Sequence, residues 1–168
     1  MATAFVFEID YIYRFFVEEH RDWTVIPLRT ENLILELTNP LSFAVYSGGA
    51  PLLGQLDPEV VAHLVQFYAE ATLHMNKIRD LLSRFQRAQE RPLGENRWEG
   101  LDEYNRWITS HLPKVRLLAA EASKNLCARA GISFDPQSVA VAAEDVNRLR
   151  LEVKNLESAQ TSVFEVNV

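Results

Sequence analysis

Arg106 and His111 stand five positions apart in the stretch NRWITSH. They are two side-chain types that can serve phosphodiester cleavage, a guanidinium to hold the phosphate and an imidazole to move a proton. With thirteen arginines and four histidines in the chain, an arginine followed at this range by a histidine arises by chance about once. It arises twice, at Arg106–His111 and at Arg14–His20. Pro113 stands two residues past His111, where helix geometry is disturbed, and a surface histidine beside a kink accounts for the same residues. The spacing alone does not establish an enzyme.

Metal chemistry finds few ligands. Glu59–His63 and Glu70–His74 each lie at i, i+4, so each pair shares a helix face, but two ligands do not close a site and such pairs are ordinary hydrogen-bonding partners. Di-iron bundles use Glu-x-x-His on two helices, and no histidine here has a glutamate three residues before it. H-E-x-x-H, C-x-x-C, Walker A and G-x-S-x-G are all missing. Gly48–Gly49 lacks the strand–loop–helix setting of a phosphate cradle. No serine or cysteine stands out as a nucleophile beside a base. Cys127, the sole cysteine, lies in the apolar run LCARAG and reads as a small core residue; alone it forms no internal disulfide. The expectation is no metal, no cofactor and no catalytic residue, with Arg106 and His111 as the one alternative.

The composition sets wider bounds. A chain of 168 residues, 48% apolar and 24% charged, reads as a single domain over residues 1–168 with a core of its own. The net charge of −6 disfavours a general nucleic-acid binder. Arg79, Arg84, Arg87 and Arg91 gather near one helix end, where cations complement the dipole. No apolar run approaches the ~20 residues of a membrane span, and the start lacks a basic signal-peptide region. The chain reads as cytoplasmic, or as a piece of a longer, membrane-tethered protein beginning here at MATAF.

Helices must position any site. Asp57 and Pro58 open one that runs to about Gln89, with Val61, Leu64, Tyr68, Ala71, Met75, Ile78, Leu82 and Phe85 as its seam and Val60, Phe67 and Leu81 widening it. On it, Leu64, Tyr68, Met75, Ile78 and Leu82 are expected inside; Glu59, Gln66, Glu70, Lys77 and Arg84 are expected in water, with His63 and His74 off the seam. A second helix spans about Trp98 to Ala130 and stops at Gly131, with Pro113 kinking or splitting it. A third starts at Asp135–Pro136, its seam running from Val139 to Leu156, with Glu144 and Arg148 paired across one turn. Phe5 to Phe15 alternates like a strand, yet Phe5, Ile9, Ile12, Phe16 and Trp23 also fit a helix. Helix is preferred over residues 3–17, because a helical remainder offers a strand few partners; it should pack on the Asp57 helix. Prolines and glycines break residues 27–51 into short helical pieces around Glu31–Leu37 and Leu41–Tyr46. The C-terminal VFEVNV reads as a frayed or locally packed tail. The fold expected is all-α, a bundle of about four helices with short pieces between the first and second long ones.

Two resemblances follow from these residues. Glu8–Ile9, Val45–Tyr46, the run Leu53–Gly54–Gln55–Leu56 with Pro58 and Val60 or Val61, and Phe67–Tyr68 resemble an E-I, V-Y, L-G-x-L-x-P-x-V, F-Y signature found in a group of bacterial helical proteins with no assigned activity. Those proteins often carry an N-terminal membrane anchor. The likeness covers about the first half of the chain and implies an all-helical fold. The R-x₄-H spacing is similar to that of HEPN-type ribonucleases, small helical domains that form a composite Arg/His site across a dimer. Their ribonuclease members commonly place a polar residue after the arginine, where this chain has Trp107.

Heptad-like seams without a catalytic constellation point to a non-catalytic interaction or sensory module. Its partner would be another protein or a second copy of the chain, as in a homodimer, with no nucleic acid. The alternatives are a HEPN-like ribonuclease using Arg106 and His111, and a small-ligand sensor with a pocket near Pro113.

Overall fold

Phe5, Val6, Ile9, Ile12 and Phe16 are fully buried, while Phe7 and Tyr11 face outward. That is a helical stripe, so the strand-like alternation of the first residues is coincidental. The computed structural model describes residues 1–19, 43–89, 101–135 and 137–165. Their order is α1 (Ala2–Arg14) continued by a π-helical turn (Phe15–Glu19), α2 (Ala44–Gly49) leading into a 3₁₀ turn (Ala50–Gln55), α3 (Pro58–Gln89), α4 (Leu101–Ala130), a 3₁₀ turn (Ala140–Ala143) and α5 (Val146–Glu165). The all-helical bundle is therefore observed, with four long helices and no strand among the described residues. None of the described helices is long and apolar enough to cross a membrane.

α4 is the central element, with α1, α3 and α5 all packed against it. It buries Ala119, Ala120, Ala122 and Ser123, and such short side chains let neighbouring backbones come close. This corrects the expected pairing of α1 with the Asp57 helix. α1 lies mainly on α4 and reaches α3 through long side chains, Glu8 to Tyr68 and Phe16 to His74.

The helix boundaries have local causes. Asp57 caps α3, its Oδ1 accepting the Glu59 N–H at 2.9 Å. Gly131, at φ +63°, ends α4 with the Ile132 N–H returned to the Cys127 carbonyl at 2.9 Å. Pro113 is buried within α4 and does not split it. The expected third helix starts ten residues late. Asp135 caps only a turn, and the true cap is Asp145, whose Oδ1 takes the Asn147 and Arg148 N–H groups. Residues between them instead drop Val139 and Val141 into the core.

On α3, Leu64, Tyr68, Met75 and Ile78 are buried as expected, and Glu59, Gln66 and Arg84 are exposed. Glu70 and His74 contradict the reading: both are buried, at 9% and 0% exposure, and Lys77 is half-buried. Phe67, Ala71, His74 and Ile78 follow steps of four, three and four, a second seam beside the first, so α3 packs on two sides. The expectations for the side chain of Leu82, for His20, Trp23, Arg91 and Trp98, for Glu31–Leu37 and for the last three residues of VFEVNV lie outside the described residues, while Val163, Phe164 and Glu165 form the end of α5.

Candidate functional site

The polar chemistry of the interior falls into clusters that α1 helps to build. Glu8, buried on α1, accepts the backbone N–H groups of Val45 at 2.7 Å and Tyr46 at 3.0 Å, and the Tyr68 hydroxyl at 2.5 Å. Tyr46 stacks on Tyr68 with ring centroids 4.1 Å apart. Burial, and then the Glu8 bond, push the Tyr68 phenol well above its ordinary range. Gly49 closes this corner, since a Cβ there would sit 3.0 Å from Phe5 Cζ. Glu8, Val45, Tyr46 and Tyr68 thus meet in one packed knot.

A second cluster ties α1 to the segment before α5. Asp10 Oδ1 accepts the Val141 N–H at 2.8 Å, and Asp10 Oδ2 pairs with Arg14. The Tyr13 hydroxyl donates to Glu144 Oε1, which also receives Nε and Nη2 of Arg116 at 3.0 and 2.7 Å. Lys124 holds the Glu144 carbonyl at 2.6 Å, and Arg148 approaches the second carboxylate oxygen at 3.5 Å. Burial alone would raise the Glu144 acid, but the Tyr13 and Arg116 bonds and the nearby guanidinium charges bring it below its usual range. Burial followed by the Glu144 contact raises the Tyr13 phenol. The Glu144–Arg148 pair foreseen on a helix face therefore has one member deep in the fold.

A third cluster lies where α3, α4 and α5 approach. The His74 ring meets the edge of Phe16 at 4.9 Å and leans over Trp107 at 6.1 Å. His111 stacks on Trp107 at 3.9 Å, and Lys77 Nζ lies 5.2 Å from the Trp107 ring centre. Burial, with a smaller contribution from His111, holds the His74 imidazole down at about 4. One turn away, Lys114 Nζ sits 2.8 Å from Glu70 Oε2, while Oε1 of that buried carboxylate has no hydrogen-bond partner. Ser110, His111 and Lys114 of α4 and Val153, Leu156 and Glu157 of α5 line a shallow pocket of about 100 Å³.

The pair proposed from spacing is not drawn together. Arg106 is exposed, and five residues of helix turn it about 140° away from His111. The Nδ1 atom of His111 lies 2.8 Å from the Trp107 carbonyl, which only accepts, so Nδ1 is assigned as the donor of this bond. The Glu–His pairs have other partners. His63 Nδ1 bonds the backbone carbonyl of Glu59 at 2.8 Å, and the Glu70 carboxylate goes to Lys114. Among the described residues no three His, Cys, Asp or Glu side chains form a group fit for a metal ion. Cys127 is half-buried, and burial raises its thiol above the ordinary value.

Sequence reasoning missed Glu8, Asp10 and Glu144 as structural ties, and their setting shows why. A carboxylate amid FVFEIDYIY has no local signature beyond its place in an apolar run. That place is itself a signal, since a buried carboxylate must be bonded. No protein-family model, curated protein or solved structure matches the chain.

Proposed function

We propose that the protein is a non-catalytic helical interaction module that presents helix faces to a protein partner. The observation that carries this reading is the outer face of α1. Phe7 and Tyr11, one turn apart, are 51% and 62% exposed, and Phe134 meets Phe7 edge-on at 5.4 Å. Aromatic side chains on a rigid helix are the groups most favoured at the centre of an interface. The buried carboxylates Glu8, Asp10 and Glu144 hold backbone and tyrosine groups and so act in the fold. In a longer, anchored chain of the kind the bacterial resemblance implies, such a module would work at a membrane surface. The Arg106/His111 ribonuclease reading gains nothing from side chains set on different sides of α4.

A photo-crosslinking residue at Tyr11, compared with one at the exposed Lys154 in cells producing the protein, tests the reading. The expected result is one defined protein adduct from position 11, absent from position 154 and lost with Phe7→Glu. Equal labelling at both positions, or none, overturns it.

A further inference from the structure

We infer that the outer face of α3 pairs antiparallel with the same face of a second copy of this chain. The inference rests on the interaction-module reading and names a partner for a different surface from that of Phe7 and Tyr11. α3 has 32 residues, a rod about 48 Å long. Its inner sides bury Val60, Leu64, Phe67, Ala71 and Ile78. Opposite them, Ala62, Val65, Ala69, Thr72 and Asn76 recur at steps of three and four and are all exposed. Val65 is 44% exposed, as is Leu73 on the flank of the same row. A 3–4 repeat is the spacing by which two helices interlock, and its short side chains allow a close approach.

Charge selects the occupant and its direction. Asp57 and Glu59 mark the start of α3, and Arg129 of α4, at 3.6 and 3.4 Å, offsets one of the two. Exposed Arg79, Arg84 and Arg87 mark its far end, with Asp80 lying 3.2 Å from Arg84. The flanks of the face thus keep negative charge at one end and positive charge at the other. Parallel pairing of two copies would set like charges side by side. Antiparallel pairing about a two-fold axis near Ala69–Thr72 brings the level of Asp57 and Glu59 to that of Arg84 on the other copy. It also gathers Val65, Ala69 and Leu73 of both copies at the centre. A face whose two halves complement each other fits itself, which is the requirement of an isologous dimer. A strip about 48 Å by 10 Å covers about 1,000 Å² in total, the lower bound for a specific interface, so the dimer is reversible, with a Kd on the order of 10–100 µM.

Sedimentation equilibrium over a wide concentration range, with thermal melts to confirm folding, tests the pairing. The wild-type chain is expected to dimerise; Leu73→Glu and Arg84→Glu should each weaken the dimer at least tenfold without lowering Tm. A Glu59→Arg chain should also self-associate poorly, yet mix with the Arg84→Glu chain to restore a heterodimer. A wild-type chain that stays monomeric at several hundred micromolar overturns the inference. So does a dimer indifferent to Leu73→Glu and Arg84→Glu. Either failure leaves the interaction-module reading to the Tyr11 cross-link, which reads a different face.

Discussion

Glu8 of α1 receives the hydroxyl of Tyr68 of α3 at 2.5 Å, and the same carboxylate takes the Val45 and Tyr46 N–H groups. One side chain therefore ties α1 to two segments, the nearer of them 37 residues away in sequence. Tyr68→Phe removes a hydrogen bond to a charged acceptor and should cost about 1.5–3 kcal/mol. Glu8→Ala strands the hydroxyl and two backbone donors together and should cost more, about 3–5 kcal/mol. Urea denaturation measures both, and a neutral Glu8→Ala would show that the knot does not hold α1 in place.

His74 makes stability depend on pH in a definite direction. Its imidazole ionises at about 4 in the fold and near 6.5 in an unfolded chain. Between those values the unfolded state binds the extra proton, so folding stability rises with pH. The contribution is fully present above pH 6.5 and is lost as pH falls towards 4. The loss is about 3 kcal/mol, from 1.36 kcal/mol per unit for a fully buried ring. His74→Phe keeps a ring beside Phe16 and Trp107 and cannot take up the proton. Its denaturation midpoint should stay flat from pH 6.5 to 4.5 while the wild-type midpoint falls. Parallel profiles would mean that His74 does not carry this dependence.

The Glu144 cluster acts lower on the pH scale. Its acid is depressed in the fold, so its contribution is present above the ordinary carboxylate value near 4.5 and is lost as pH falls through the lower folded value. Tyr13→Phe and Arg116→Met, made singly and together, form a double-mutant cycle around this carboxylate. Removing Arg116 leaves a buried charge held by fewer donors, so that change should be the larger, about 3–5 kcal/mol. The two should couple by about 0.5–3 kcal/mol because they share Glu144 Oε1. Additive costs, measured at pH 7, would dissolve the network into separate contacts.

The helical architecture was legible because it rests on period. The Leu64–Tyr68–Met75–Ile78 row, the cap at Asp57 and the stop at Gly131 are local patterns that the fold keeps. What depends on tertiary neighbours was not. The start of α5 moved from Asp135 to Asp145 because a capping aspartate reads alike before a helix and before a single turn. His74 looked solvated because one seam had already been assigned, though its spacing from Phe67, Ala71 and Ile78 marked a second. The distant ties, Glu8 to Tyr46 and Tyr13 to Glu144, follow from no spacing at all. For the candidate site, His111 lies at a shallow pocket between α4 and α5, while Arg106 does not line it.

The two faces of α3 should answer substitution differently. Ile78 is wholly buried between α3 and its neighbours, so Ile78→Ala loses transfer energy and leaves a cavity, a cost of about 2–5 kcal/mol. Leu73 is nearly half-exposed, so Leu73→Ala at low micromolar protein should stay within about 0.5 kcal/mol of wild type. His63→Ala removes only a half-buried ring bonded to its own helix and near Asn125, and should cost about 1 kcal/mol or less. Adding a chelator should leave all three midpoints unchanged. A midpoint lowered by chelator, or a His63 cost equal to that of Ile78, would place a metal where a surface hydrogen bond has been read. A neutral Ile78→Ala would show that the seam of α3 is not the core.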